Sequence, residues 1–282
     1  MELELLLNTI KNLVESDVEV TSKIIQKGNI NYTGISIGKG NMRPIIYVED
    51  YVDLLQKQGY LTVASKMIED CSTASQLEID MHLCFSWDYV KNNLILCIAP
   101  TGTNNEYITI PYLDLELYFK VNLENAGTEA TYRITDYHLD MWNKTKEELL
   151  QIALETNDYS STSMIDTTIK LLEESGATDE EIEEMKRISD NNQFIITNAN
   201  KKYGAAAIYK KEILKEVADR FESDLYIIPS SIHELIVLPI NDYPKEAMNY
   251  MIREVNMNEV DPEEVLSNHV YIFRRDTMEI EW

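Results

Sequence analysis

The residues best suited to chemistry stand together in Pro229-Ser230-Ser231-Ile232-His233-Glu234. A serine nucleophile needs a histidine to take its proton and an acid to orient that histidine. All three residue types are present here, but as neighbours. The members of a triad converge in space from separate places, which sequence neighbours rarely do. The Ser231-x-x-Glu234 spacing also matches a capping box, in which each side chain satisfies the other's backbone amide. Two readings stand side by side. In one, the segment is a shaped turn between two strands with His233 hydrogen-bonded inside it. In the other, His233 is a base or binding group assisted by Ser230, Ser231 or Glu234.

No other cluster suggests a reaction. His82 has Cys84 nearby, but no second pair completes a zinc set, and HExxH is absent. His138 lies in a segment that packs Leu139 and Trp142 inward, and His269 stands alone. Cys71, Cys84 and Cys97 recur at intervals of thirteen, which fits neither zinc nor a CxxC redox pair, so buried free thiols are expected. Gly34, Gly38 and Gly40 resemble a phosphate loop in composition. The chain after them runs into Pro44 and a β-like stretch instead of a helix, so a hairpin turn is expected. No metal and no cofactor are expected.

The charge is the unusual property. Forty-nine acids face 25 bases over 282 residues, a formal net of −24. A phosphate-gripping surface spread over the fold is excluded, because such affinity comes from Lys and Arg. Residues 151–200 are the densest part, with eleven acids against three bases. Glu173, Glu174, Asp179, Glu180, Glu181, Glu183 and Glu184 form the main run. Such a run reads either as a solvated helix face or as a surface that docks a basic partner. Lys201, Lys202, Lys210, Lys211 and Lys215 are the one basic cluster, and interleaved acids mark a solvated helix. The longest strongly apolar run, Leu94–Ala99, falls short of the roughly 20 residues of a membrane span. The first residues carry acids where a secretory signal carries bases. No membrane association and a cytoplasmic location are expected.

The elements that must position these groups follow from periodicity. Residues 2–15 put Leu3, Leu6, Leu7, Ile10, Leu13 and Val14 on one helical side. Strands are expected near 17–26, 30–37 and 44–48, then two helices around Gly59. The run 84–99 fits a strand or a buried helix. One or two strands over 106–121, a strand over 130–135 and helices over 136–142 and 145–156 follow. Residues 157–163 are polar and aperiodic, so they read as linker-like between an N-terminal lobe, 1–156, and a C-terminal lobe, 164–282. The second lobe opens with an acidic helical insertion, 164–190, in which Thr178 and Glu181 form a helix start. Beyond it, strands alternate with helices to the end. The fold class is α+β, with mixed, mainly antiparallel sheets and flanking helices in two lobes.

Several strings carry a family resemblance. They include Tyr203-Gly204-Ala205-Ala206-Ala207, Asp224-Leu225-Tyr226-Ile227-Ile228-Pro229-Ser230-Ser231-Ile232-His233-Glu234, and Pro262-Glu263-Glu264-Val265-Leu266-Ser267. Trp142 with Glu147-Glu148-Leu149 belongs with them. Together they resemble an uncharacterised bacterial family catalogued as a domain of unknown function. The resemblance implies a bacterial or mobile-element origin and transfers no catalytic residue. The small residues at 204–207 suit close approach of backbone to a neighbouring element.

The leading expectation is a non-enzymatic cytoplasmic binding protein whose acidic surface meets a basic protein or a nucleic-acid-binding protein. A narrower form is a nucleic-acid mimic that inhibits such an enzyme in mobile-element counter-defence. The alternatives are a hydrolase-like enzyme around His233 and a structural or scaffold subunit. Geometry discriminates the enzyme: His233 lines a concavity beside a second titratable group, or it is packed and bonded to backbone.

Overall fold

The structure is a computed structural model that describes residues 2–27, 30–39, 43–75, 85–103, 107–125, 128–188, 192–240 and 244–282. The chain forms two compact units, residues 1–81 with 123–130 and residues 82–122 with 131–282.

The first unit opens with α1 (Leu3–Leu13), whose Leu6 and Ile10 are fully buried. The strands β1 (Glu19–Lys27), β2 (Ile30–Gly38) and β3 (Ile45–Tyr47) form an antiparallel sheet in that order. Gly34 and Gly38 lie on β2, which pairs antiparallel with β3, so no helix follows the glycines. Gly40 and Asn41 lie outside the described residues. Helix α2 (Val52–Ser75) is two helices joined at Gly59, whose φ of 78° suits a residue without a Cβ. Ile35 and Ile37 of β2 and Val63, Ala64, Met67 and Cys71 of α2 complete this unit's core.

The second unit begins with a short helix, α3 (Trp87–Val90), and then β4 (Leu94–Pro100). The apolar run is therefore a strand. It reads as continuous because Leu96 and Ile98 enter the main core while Cys97 and Ala99 are buried on the opposite face. His82 and Cys84 fall outside the described residues. Strands β5 (Thr109–Tyr112), β6 (Leu115–Asn125) and β7 (Thr128–Arg133) join β4 in an antiparallel sheet with β6 between β4 and β5. Helices α4 (Asp136–Trp142) and α5 (Lys146–Thr156) follow where the periodicity places them.

Residues 157–163 do not form a linker. Tyr159–Ser163 is a strand, β8, with Tyr159 and Ser163 buried in alternation with exposed neighbours. Serine and threonine carry a period of two without the apolar contrast that reveals it in sequence. The division at 156/164 is not that of the two compact units. Leu96, Phe119, Leu149 and Ala153 share one core with Phe194, Val237 and Tyr271.

Two helices come next, α6 (Met164–Glu174) and α7 (Asp179–Ile188), then β9 (Phe194–Asn198). A 3₁₀ segment over Gly204–Tyr209 leads to α8 (Lys211–Phe221), β10 (Leu225–Ser231) and β11 (Glu234–Pro239). Helix α9 (Lys245–Asn258), β12 (Tyr271–Phe273) and β13 (Ile280–Glu281) end the fold. The six-stranded sheet has the order β13-β12-β10-β11-β9-β8, antiparallel throughout. One face presents Leu225, Ile227, Leu235, Val237, Tyr271 and Phe273 to the main core. The other presents Tyr226, Ile228 and Leu238 to Met248 and Ile252 of α9.

Phe273 has no exposed surface and sits at the centre of that packing. Phe273→Ala is expected to lower unfolding stability by about 3–5 kcal/mol, through lost burial plus the cavity left behind. Chemical denaturation checks this; a loss under about 1 kcal/mol would show that the ring is not packed as described.

Candidate functional site

The segment around His233 is the tip of the β10–β11 hairpin. Strand pairing runs to Pro229↔Leu235 and closes irregularly at Ser231↔Glu234. Ser231 Oγ accepts a hydrogen bond from the backbone N–H of His233 at 3.0 Å. Ser231 and Glu234 therefore do not make a capping box. No helix starts here, and the hydroxyl that would cap one shapes the turn instead.

The His233 ring is held at both nitrogens. Nδ1 lies 3.1 Å from the backbone nitrogen of Tyr203, and Nε2 lies 3.1 Å from Glu264 Oε1. A peptide N–H can only donate, so Nδ1 accepts and the ring proton resides on Nε2, where it is donated to Glu264. Among the described residues these are the ring's hydrogen-bond partners, and neither Ser230 nor Ser231 reaches it. Its backbone is tied as well. Thr197 Oγ1 donates to the His233 carbonyl at 2.8 Å, and the Ile232 N–H donates to the Glu264 carbonyl at 3.0 Å. The geometry is that of a histidine that positions chain segments. A base needs a free lone pair facing its proton source; here that lone pair is occupied by Tyr203 N–H.

What His233 positions is the approach to the 3₁₀ segment. Lys201 and Tyr203 both adopt left-handed backbone, φ 52° and 59°. The Asn198 side chain closes the loop, accepting from Lys202 N–H at 3.1 Å and donating to the Lys202 carbonyl at 2.6 Å. At Gly204 a Cβ would come within 2.3 Å of Thr197 Oγ1 and 2.6 Å of the His233 carbonyl. The close approach expected of residues 204–207 is present. Glu264 and Tyr203, its distant partners, carry no local signal that joins them to His233.

The seven acids of the sequence reading lie together on α6 and α7, all exposed. They are not equivalent. Glu181 closes a capping box: its carboxylate accepts from Thr178 N–H at 2.8 Å, and Thr178 Oγ1 accepts from Glu181 N–H at 3.3 Å. That contact pulls its carboxyl below the usual range. Glu183 pairs with Lys186 at 2.9 Å and Glu184 with Arg187 at 3.1 Å. Glu173, Glu174, Asp179 and Glu180 make no ion pair among the described residues.

Residues 3–275 match DUF5688, described as a family of unknown function. The chain belongs to this family. No curated protein and no solved structure matches it.

Within this DUF5688 chain the other described histidines also serve the fold. His138 occupies the third position of α4, and its Nδ1 accepts from Thr135 N–H at 3.1 Å. The ring stacks on Trp142 at 5.4 Å, and burial lowers its pKa. His269 Nε2 lies 2.9 Å from Asp114 Oδ2, and the Tyr271 hydroxyl donates to Oδ1 of the same carboxylate at 2.6 Å. This network couples residues 155 and 157 positions apart, beyond any sequence motif. Among the described residues no three His, Cys, Asp or Glu side chains form a metal site. No described helix is long and apolar enough to cross a membrane. Cys71 and Cys97 are buried free thiols, and burial pushes the Cys97 thiol up to about 11.

Gly204→Ala is expected to destabilise the protein by roughly 1–3 kcal/mol, since the atoms in the way include two backbone groups. Unchanged thermal unfolding would contradict the packing. His138 yields a pH effect of defined sign. Its folded pKa lies below its unfolded one, so its contribution is intact above about 6.5 and is lost as pH falls below that. His138→Gln keeps the capping arrangement without a titrating ring. Stability measured from pH 7.5 to 5 should therefore fall further for wild type than for the variant; parallel curves would refute the assignment.

Proposed function

We propose that this protein is a non-enzymatic, cytoplasmic binding protein that docks a basic macromolecular surface through the α6–α7 hairpin. One observation carries the reading. Strands β8 and β9 pair directly as far as Ser163↔Phe194, and Met164 N–H donates to the Gln193 carbonyl at 2.8 Å. A two-residue turn suffices to connect such strands. The chain instead makes a helical excursion that the sheet does not need.

The excursion is built for the surface. Ile182 is the one buried side chain among its described residues. Residues 164–193 hold nine acids and three bases. Four of those acids, Glu173, Glu174, Asp179 and Glu180, make no ion pair among the described residues, though Lys186 feels the charge of Glu173 and Asp179. Exposed ion pairs contribute little to stability, so spare carboxylates of one sign are a means of steering a partner. A basic groove that ordinarily takes nucleic acid is the partner chemistry that such a surface fits, which makes an inhibitor acting as a nucleic-acid mimic the narrower form of the proposal. The His233 geometry favours this reading over a hydrolase, because its ring is committed to Tyr203 and Glu264.

The test is affinity capture from the native host with the full chain, at about 50 mM and about 500 mM salt, where screening lengths differ roughly threefold. A basic protein retained at low salt and released at high salt is expected. Retention independent of salt would overturn the proposal. Charge reversal at Glu173, Glu174, Asp179 and Glu180 should reduce retention at least tenfold while leaving the capping residue Glu181 intact. In parallel, replacing residues 165–192 by Asn-Gly should abolish capture yet leave cooperative unfolding in place. Loss of the fold in that deletion would show that the excursion is part of the scaffold.

A further inference from the structure

We propose that α9 carries a self-complementary docking face on which a second copy of this chain pairs antiparallel, Arg253 of each copy meeting Glu246 of the other. The inward side of α9 is already committed. Met248 and Ile252 pack on Tyr226, Ile228 and Leu238 of the sheet. Beside them Asn249 Oδ1 accepts from Val270 N–H at 2.9 Å, and the Asn256 amide donates to the Ser267 carbonyl at 2.9 Å. A helix fixed in this way ordinarily turns polar side chains to solvent. Here the outward side carries Tyr250, Met251, Val255 and Met257, each between 44% and 80% exposed.

These side chains form one patch. Ala247 has Tyr250 and Met251 three and four residues on, and Met251 has Val255 four on, so each adjoins the next on the helix surface. Met257 continues the line of Tyr250 nearly two turns further along. Single exposed apolar residues are ordinary, whereas a contiguous patch marks an interaction site. Tyrosine, methionine and arginine are enriched at protein interfaces. The first two build this patch, and Arg253 stands on its edge.

The charges on one flank identify the occupant. Glu246 and Arg253 are nearly two helical turns apart, so they leave α9 on the same side but about 10 Å from each other along it. Both are exposed, and neither makes an ion pair among the described residues. A two-fold axis between two antiparallel helices sets a given flank of one beside the same flank of the other. Centred at Tyr250, such a pair brings Arg253 of each copy within one residue of the level of Glu246 of the other. One operation therefore forms two opposite-charge contacts, as an isologous interface requires. A parallel pair would set Arg253 beside Arg253 and Glu246 beside Glu246, which charge repulsion disfavours. A different partner whose surface carries one sign of charge satisfies one of these residues and repels the other. Glu254, the one charge within the patch, falls beside the small Ala247 of the second copy, which leaves its carboxylate room to reach solvent.

The size of the face sets the strength. A helix of 14 residues is about 21 Å long. A contact of that length falls at the low end of specific interfaces, so the association is weak and depends on concentration. The net charge of −24 on each copy opposes it, and salt screens that repulsion.

The experiment is sedimentation equilibrium of the full chain over rising concentration, at about 0.15 M salt, where the screening length is about 8 Å. A reversible monomer–dimer equilibrium is expected. Glu246→Arg and Arg253→Glu each turn two attractive contacts into two repulsive ones, so each should raise the dissociation constant about tenfold or more. Mixed in equal amounts, the two variants should dimerise again, within about threefold of the wild-type constant, because one copy then offers two bases and the other two acids. Tyr250→Ser should likewise weaken the dimer by removing the ring at the axis. All three positions are exposed, so the fold is not at stake. A chain that stays monomeric throughout overturns the proposal. A dimer that neither reversal weakens, or that Tyr250→Ser leaves unchanged, uses another face and overturns it too. Loss in both reversals without recovery in the mixture overturns the antiparallel pairing.

Discussion

The constraint on which the second unit depends is that β10 is buried on both faces. Leu225 and Ile227 enter the main core, while Tyr226 and Ile228 lie under α9. A strand without a solvent face must be matched by apolar layers on each side, and that demand places the neighbouring elements. Strands β11 and β12 flank it, α9 covers one face, and α8, α5 and the β4–β6–β5 sheet supply apolar side chains to the other. Pro229 near the end of the strand removes an N–H donor from the ladder. The pairing register shifts between Pro229 and Ser231, and there the chain leaves the sheet to form the His233 turn.

That turn is a junction of backbone and side-chain hydrogen bonds. One imidazole joins the Tyr203 N–H to the carboxylate of Glu264. The carbonyls of Ile232 and His233 receive Ala205 N–H and the Thr197 hydroxyl. Buried or half-buried polar groups are costly unless satisfied, so such a junction settles into one arrangement. Asp224 plays a similar part at the other end of β10. It accepts Arg275 N–H at 2.8 Å and pairs with Arg274 at 2.9 Å, which holds its carboxyl low. Polar ties at both ends and apolar layers on both faces define the strand.

The net charge of −24 resolves into unlike contributions. Some acids are structural, such as Glu181 in its cap and Asp114 beneath Tyr271 and His269. Others sit in exposed pairs with Lys or Arg, whose contribution to stability is small. Residues 164–193, the helical excursion between β8 and β9, hold nine acids against three bases, a quarter of the net charge. Charge on the exposed faces there leaves the core undisturbed, since Ile182 is the one buried side chain among the excursion's described residues. A scaffold and an acidic surface can therefore change independently.

Periodicity in the sequence determined most elements of the first two thirds: α1, the pair of helices around Gly59, α4, α5 and the helical insertion that holds α6 and α7 stand where the spacing places them, and β10 and β11 flank the expected turn. The Thr178–Glu181 helix start was likewise legible, because both partners of a capping box lie within one turn. The sequence did not reveal β8, since Tyr159–Ser163 buries hydroxyl residues and shows no apolar alternation. Nor did it separate Ser231–Glu234 as a hairpin from the same spacing as a cap, because that choice depends on whether a helix follows. The grouping of residues into two compact units and the partners of His233, His269 and Tyr271 were decided only by tertiary structure. Their contacts join residues 30 to 157 positions apart, and a pairing at that range leaves no local pattern of spacing, charge or hydropathy.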